Sequence, residues 1–199
     1  MKIAIIKYNA GNIESVNNAL NRLNVRAEIT ADPYKIRNAD KVIFPGVGEA
    51  STTMEYLRMN ELDKLIVSLK QPVLGICLGL QLMCSYSEEN DTKCLGIFDE
   101  KVIRFIPKSG EEFVTKVPHM GWNAITNLKT KLFLEEIENQ YVYFVHSYFA
   151  GLGEHTIATC NYITPFSAAL QKDNFYATQF HPEKSGTIGA QILKNFINI

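Results

Sequence analysis

The chain has 199 residues, 46% of them hydrophobic, and its 20 basic and 21 acidic residues give a formal net charge of -1. A chain of this length and composition buries one substantial core, so we expect one domain over residues 1–199. The balanced charge argues against nucleic-acid binding, and the lack of a long apolar run argues against a membrane span or signal peptide. We therefore expect a cytoplasmic protein with no nucleic-acid or membrane partner.

Strands and helices alternate through the first half of the chain. Apolar runs predict strands at residues 2–6, 25–30, 40–44 and 73–76, and the turn Pro45-Gly46-Val47-Gly48 ends the third. Helical spacing predicts helices at about 13–23, 50–59 and 61–70, and Asp32-Pro33 begins a shorter one. The first turn is Lys7-Tyr8-Asn9-Ala10-Gly11-Asn12, and we expect its last residue to cap the first helix. Apolar strands that alternate with helices predict a parallel sheet covered on both faces.

The second half of the chain has a different pattern. Residues 95–125 and 140–180 read mostly as strand, with a helix near 128–137 and a last helix at 186–197. Asp173-Asn174 lies between two strand-like segments and predicts a hairpin. We therefore expect an α/β fold with a mostly parallel sheet, helices on both faces, and antiparallel additions at one edge from the second half.

The segment Gly75-Ile76-Cys77-Leu78-Gly79 joins a strand directly to a helix and leaves no residues for a loop. Such a join requires a sharp, strained turn, and glycines on either side of Cys77 make room for it. A sulfur at this turn lies at a helix N-terminus, where a thiolate is favoured and the N–H of Leu78 faces a developing oxyanion. The other cysteines, Cys84, Cys94 and Cys160, show no metal-ligand spacing, and we expect them to be packing residues.

A nucleophilic thiol needs a base, and the base needs an orienting group. His181 is followed by Pro182 and Glu183, and the proline should keep His181 extended so that both side chains project to one side. Cys77, His181 and Glu183 then form a triad in the order nucleophile, base, acid. The glycines of the turn at 45–48 would let a second backbone N–H face the sulfur.

The elbow Gly75 to Gln81 and the segment His181-Pro182-Glu183 resemble the signatures of class I (triad) glutamine amidotransferases. Further segments are similar to the glutaminase subunits of imidazole glycerol phosphate synthases, and they are Ala10-Gly11-Asn12, Pro45 to Gly48, Pro118-His119-Met120-Gly121-Trp122-Asn123, Phe144-Val145-His146-Ser147-Tyr148 and Phe180 to Ser185. The resemblance covers the whole chain. One departure is Lys7, where many relatives carry Asp.

The resemblance implies that Cys77 attacks the side-chain amide of glutamine, that His181 moves the proton, and that Glu183 orients His181. A glutamyl thioester forms and water hydrolyses it, with no metal or cofactor. By match to the family motifs, the N–H groups of Val47 and Leu78 form the oxyanion hole. The same match assigns glutamine binding to five residues, with Glu89 facing the α-amino group: Gly48, Gln81, Glu89, Ser147 and Tyr148.

The resemblance also implies a heterodimer with a (β/α)8-barrel cyclase subunit, which receives the ammonia and makes imidazole glycerol phosphate and AICAR. Five residues match family positions at that interface: Asn12, Met120, Trp122, Tyr143 and Lys184. From the residues alone we favour ordinary roles instead, with Met120 and Trp122 as core residues, Tyr143 as a strand residue and Lys184 as a solvated charge.

Other functions stay open at this point. A glutaminase subunit can serve a different synthase, and a sugar-modifying paralogue is the hardest of these to exclude. An α/β-hydrolase-like esterase places its acid before its histidine, which is the reverse of the order here. An inactive binding domain would have a broken triad, whereas this chain retains all three residues.

Overall fold

The structure is a computed structural model that describes residues 1–9, 11–107, 110 and 116–199. Ala10 of the predicted first turn, and residues 108, 109 and 111–115 of the predicted strand region, lie outside the described residues.

Thirteen strands and six α-helices make up the described part of the fold. The strands are β1 (Ile3–Ile6), β2 (Ala27–Thr30), β3 (Lys41–Gly46), β4 (Val73–Cys77), β5 (Tyr86–Ser87), β6 (Thr92–Lys93), β7 (Lys101–Arg104), β8 (His119–Ala124), β9 (Tyr141–His146), β10 (Tyr148–Ala150), β11 (Thr156–Asn161), β12 (Pro165–Lys172) and β13 (Phe175–Thr178). The helices are α1 (Ile13–Arg22), α2 (Pro33–Arg37), α3 (Ala50–Met59), α4 (Leu62–Ser68), α5 (Leu78–Met83) and α6 (Gly186–Asn198). Short 3-10 turns occupy Glu135–Ile137 and Pro182–Lys184.

A seven-stranded sheet forms the centre, in the order β11-β12-β13-β4-β3-β1-β2. The pairings from β13 through β2 are all parallel, whereas β12 pairs antiparallel with both β13 and β11. The predicted parallel sheet with antiparallel additions at one edge is therefore confirmed. Smaller sheets, β10-β7-β5-β6 and β8-β9, lie beside it.

The middle of the central sheet is buried on both faces, and strands β1 and β4 are apolar and buried at every position. Ile3 and Ile5 of β1 pack with α1 and α6, whereas Ala4 and Ile6 face the core formed with α2 to α5. Strands β1, β3, β4 and β13 therefore contribute to two cores, as a doubly covered parallel sheet requires.

The predicted helix at 128–137 is wrong, since only Glu135–Ile137 is helical there and as a 3-10 turn. Thr126 instead forms a bridge with Thr159, and the N–H of Lys129 donates to the carbonyl of Ile157. Thr130 has a φ of 69°, which a helix does not allow. Pairing with the edge of β11 thus takes the backbone groups that a helix would have used.

Two smaller expectations also need correction. Asn12 stands at the N-cap position of α1, but it has a φ of 72° and its side chain makes no capping hydrogen bond. The strand predicted to stop at Phe44 continues through Pro45 and Gly46. Proline has no backbone N–H to donate to a neighbouring strand. It is tolerated at position 45 because the pairing of β3 with β1 has already ended at Ile43, so no N–H is needed on that side.

Candidate active site

The turn from β4 into α5 has the predicted sharp geometry. Cys77 has φ 54° and ψ -107°, a strained combination for a residue with a side chain. A Cβ at Gly79 would lie 2.1 Å from the carbonyl oxygen of Phe44, and one at Gly75 would lie 2.9 Å from Met83 Sδ. Only glycine fits at position 79, so the close contact between α5 and β3 fixes the position of the Cys77 sulfur.

The sheet register brings His181 to the same edge as Cys77. Ile76 of β4 pairs with Thr178 of β13, so the residues that follow both strands lie beyond the carboxyl end of the sheet. Gln179 of this second segment is fully buried, and its Nε2 donates to Cys77 Sγ at 3.8 Å. The carboxyl ends of parallel strands are where α/β proteins commonly place their sites.

His181 and Glu183 are both buried and lie in direct contact. Nδ1 of His181 is 2.7 Å from Oε1 of Glu183. An ionised carboxylate only accepts hydrogen bonds, so Nδ1 carries the proton and Nε2 is the nitrogen free to act on Cys77. Nε2 is buried and has no hydrogen-bond partner in the described part of the chain. His181 is extended as predicted, but residues 182–184 form a 3-10 turn, and this turn brings Glu183 back against the ring.

Two charges decide the protonation of His181. Burial alone would lower the pKa of its imidazole, but the charges of Cys77 and Glu183 outweigh burial and raise that pKa to about 10. His181 therefore holds a proton at neutral pH when the neighbouring sulfur is charged. A base that has taken the thiol proton in this way can later deliver it to a leaving group.

Asn12 contacts the triad directly. Its side-chain Nδ2 donates to Oε1 of Glu183 and lies 3.4 Å from Nδ1 of His181. Oε2 of Glu183 is buried without a hydrogen-bond partner among the described residues. Asn12 therefore helps to hold the carboxylate, a role different from the helix cap and the partner contact that the sequence predicted for this residue.

A cavity of about 300 Å³ opens above Cys77. Both residues predicted for the oxyanion hole and all five predicted for glutamine binding line this cavity. Its full lining is Val47, Gly48, Cys77, Leu78, Gln81, Glu89, Pro118, Val145, His146, Ser147 and Tyr148. His181 and Glu183 are both buried and are not part of this lining. The volume suits a small polar molecule.

The polar groups of the cavity differ in how many hydrogen bonds they already make within the protein. Both N–H bonds of the Gln81 amide are used inside the protein, to the carbonyl of Tyr148 at 2.8 Å and to Oε1 of Gln179 at 3.1 Å. Gln81 therefore offers a ligand only its oxygen. Burial raises the pKa of Glu89, although its Oε2 accepts the N–H of Ala50 at 2.8 Å.

The backbone N–H groups of Val47 and Leu78 make no hydrogen bond with another described residue. Val47 is flanked by Gly46 and by Gly48, which has a φ of 138°. Two unpaired N–H groups on either side of a nucleophile are the elements of an oxyanion hole.

His119 and His146 form a buried pair beside the cavity that the sequence did not predict. Nδ1 of His146 lies 2.7 Å from the carbonyl oxygen of Tyr148, so this nitrogen is the donor. Nε2 of His146 then accepts from Nδ1 of His119, at 3.1 Å. Burial lowers the pKa of His146 to about 3 and that of His119 to about 4, so both rings are neutral. Strand alternation in β8 and β9, which turns both residues inward, was the available signal.

The residues predicted for a partner interface occupy one face of the β8-β9 sheet and its surroundings. Met120 and Trp122 are 61% and 54% exposed, and the ring of Trp122 lies 6.0 Å from that of Tyr143, at 70°. Lys184 is exposed in the turn after His181. The reading of Met120 and Trp122 as core residues is therefore wrong, because their strand turns them away from the buried side.

The described residues contain no group of three or more His, Cys, Asp or Glu side chains placed to hold a metal ion. Among the helices of the same residues, none has the length and hydropathy that crossing a membrane demands.

The chain matches the family model described as glutamine amidotransferase class-I over residues 4–199. A protein from Bacteroides fragilis (strain YCH46) named imidazole glycerol phosphate synthase subunit HisH is 60% identical over 199 residues, covering 100% of each chain. A Bacteroides thetaiotaomicron protein of the same name is 58% identical over 199 residues, also covering 100% of each. The crystal structure of a glutamine amidotransferase has a TM-score of 0.69 at 18% identity and covers 98% of this chain and 97% of that one, which supports the fold alone.

Proposed function

Because the chain belongs to the class-I glutamine amidotransferase family, we propose that it is the glutaminase subunit of an imidazole glycerol phosphate synthase. It hydrolyses glutamine and supplies the ammonia for a step of histidine biosynthesis. The observation that carries this function is the placement of Cys77, which stands at a strained turn in the floor of a cavity with His181 and Glu183 buried behind it.

The reaction begins when the Cys77 sulfur attacks the side-chain carbonyl carbon of glutamine. The C–N bond then breaks, His181 gives its proton to the departing amide nitrogen, and ammonia and a thioester result. Water adds to the thioester with His181 as general base, the C–S bond breaks, and glutamate leaves. Glu183 keeps the proton of His181 on Nδ1, so that Nε2 serves both steps.

In this proposal different cavity residues bind different parts of the substrate. The N–H groups of Val47 and Leu78 stabilise the negative oxygen of each tetrahedral intermediate, and losing one such donor typically costs about 100- to 1,000-fold in rate. Glu89 faces the substrate ammonium, and the Gln81 oxygen accepts a further hydrogen bond. Gly48, Ser147 and Tyr148 hold the rest of the glutamine.

The partner in this proposal is a cyclase subunit that docks on the exposed face of β8 and β9. Met and aromatic residues are enriched at the centres of protein interfaces, and Met120 and Trp122 are exposed here in neighbouring positions. Asn12, Tyr143 and Lys184 lie around the same edge. Docking there would place the partner beside Cys77, where it can receive the ammonia before water does.

The test is ammonia release and imidazole glycerol phosphate formation by this chain mixed with the cyclase of the same organism and its nucleotide substrate. We expect glutamine-dependent product formation from wild type and none from Cys77→Ala. Both mixtures should form product when ammonium chloride replaces glutamine, because the cyclase site is intact. A mixture that uses ammonium chloride but never glutamine would contradict the proposal.

A sugar-modifying paralogue predicts a different result in the same experiment. Such a chain would release ammonia from glutamine but would neither bind the cyclase nor support product formation from glutamine. Restoration of growth without histidine, in a strain that lacks its own glutaminase subunit, would exclude the paralogue.

A further inference from the structure

Tyr8 lies in the turn after β1 and is buried, with 6% of its surface exposed. Its ring packs against Phe44 of β3, with the ring centres 5.3 Å apart. The hydroxyl donates a hydrogen bond to the carbonyl oxygen of Pro45. Tyr8 thus reaches across from one strand end to the segment that begins the Val47 turn.

Several observations show that this hydroxyl is a fixed part of the site. A Cβ at Gly46 would lie 2.5 Å from the Tyr8 hydroxyl oxygen, so glycine is required at position 46 for the tyrosine to fit. Burial, together with the charge of Cys77, raises the pKa of Tyr8 far above its ordinary value. The hydroxyl therefore keeps its proton and remains a donor to Pro45.

The same turn holds Val47 from its other side. A Cβ at Gly11 would lie 2.8 Å from Cγ2 of Val47, so Gly11 packs closely against that side chain. Tyr8 and Gly11 thus contact residues on both sides of the peptide that joins Gly46 to Val47. This peptide carries the N–H that the proposed oxyanion hole uses, and its flanking glycines leave it little stiffness of its own.

We propose that Tyr8 is a positioning residue of the glutaminase site, and that its hydroxyl bond to the Pro45 carbonyl holds the Val47 N–H in place for the oxyanion. The inference rests on the proposed function, and Tyr8 lies outside the segments that carry the family resemblance. Without the hydroxyl, the peptide between Gly46 and Val47 would still carry its N–H donor, but the orientation of that donor would no longer be fixed. An oxyanion hole stabilises the transition state because its donors are already oriented before the reaction.

The test compares Tyr8→Phe with wild type and with Tyr176→Phe, all in the presence of the cyclase. Tyr176 is the control because it is also a buried tyrosine of the central sheet, at 8% exposure, and its hydroxyl makes no hydrogen bond with the described residues. We expect Tyr8→Phe to lower kcat for glutamine about 10-fold, less than complete loss of an oxyanion donor. KM should change less than 2-fold, and Tyr176→Phe should leave both constants unchanged.

Alkylation of Cys77 by iodoacetamide supplies a second readout, because displacement of iodide forms no oxyanion. We expect the rate for Tyr8→Phe to match wild type, with Cys77→Ala as the blank. An unchanged kcat, or an alkylation rate that falls as much as kcat does, would overturn the role of Tyr8 while the proposed function stands. If wild type itself releases no ammonia from glutamine, the proposed function fails and this role fails with it.

Discussion

The backbone N–H of His181 donates to the carbonyl of Tyr143 at 2.9 Å. In turn, the N–H of Tyr143 donates to Oγ of Ser185, and this hydroxyl donates to the carbonyl of His181 at 2.7 Å. The proposed base is therefore held by β9, whose other side carries the Tyr143 ring next to Trp122. One strand connects the buried imidazole to the exposed face proposed for the partner.

Asn12→Asp tests the contact between Asn12 and Glu183. The substitution replaces a donor with a second carboxylate beside Glu183, and like charges at this distance repel and favour protonation of one of them. Glu183 would then hold His181 less well, and we expect kcat for glutamine to fall about 10- to 100-fold. The measurement uses saturating cyclase, so that any loss of affinity at the interface does not enter.

Asn38→Asp is the control, because Asn38 is exposed at the end of α2 and its side chain donates only to the carbonyl of Tyr34 in that helix. It should retain wild-type kcat. An Asn12→Asp variant that regains full kcat once the cyclase is saturating would show that Asn12 acts only in association.

Gly79→Ala tests the close packing that shapes the elbow. The added methyl would lie 2.1 Å from the Phe44 carbonyl oxygen, and both backbones are fixed by the sheet. Overpacking of this kind typically costs 1–3 kcal/mol and sometimes more, so we expect a loss of about 3 kcal/mol, or about 6–12 °C in Tm. Gly151→Ala is the control, since a Cβ there meets nothing closer than 3.9 Å. Equal Tm values for the two variants would contradict the packing argument.

The elbow was predictable because its signal is local. Gly75, Cys77 and Gly79 act within five residues, and the strain at Cys77 follows from the lack of a loop. The error at 128–137 has the opposite origin, since Thr126 and Lys129 pair with β11 from a distant part of the chain. Propensity reports local preference only, and tertiary pairing overrides it.

The same distinction applies to the candidate site. His181 and Glu183 are neighbours in sequence, so their contact could be inferred from residue types alone. Asn12, Tyr8 and Gln179 contact the site across separations of 171, 37 and 102 residues, respectively. No periodicity in the sequence reports contacts at such separations, and only the sheet order brings these side chains together.

The buried His119–His146 pair predicts a loss of stability in acid. Folding lowers the pKa of these rings to about 4 and about 3, so below the unfolded value of about 6.5 the unfolded chain binds more protons. Stability is therefore retained above pH 6.5 and falls as the pH drops towards the folded values. At pH 5 the loss is about 2 kcal/mol for each ring, from about 1.4 kcal/mol per pKa unit.

The titration of His181 does not contribute to this loss of stability in acid. Folding raises the pKa of His181 to about 10. The stability that this residue contributes to the fold is therefore fully present below pH 6.5 and is lost only as the pH rises through the alkaline range. Urea unfolding at pH 7 and pH 5 measures the acid effect. His146→Asn retains a donor for the Tyr148 carbonyl and removes one titrating ring, so we expect a smaller change between the two pH values. A change as large as that of wild type would rule out His146 as a source.

Trp122→Ala tests the face proposed for the cyclase. Trp122 is the only tryptophan in the chain, and it is 54% exposed on β8 against the ring of Tyr143. Exposed aromatic anchors at an interface centre often contribute 2 kcal/mol or more, so we expect the Kd for the cyclase to rise about 30-fold or more.

Tyr34→Ala is the control, because Tyr34 is 75% exposed and lines a different cavity near Lys2, at the amino end of the sheet. Calorimetric titration of each variant with the cyclase measures Kd, and Tm measures the fold. An unchanged Kd for Trp122→Ala, or an equal rise for Tyr34→Ala, would place the partner elsewhere.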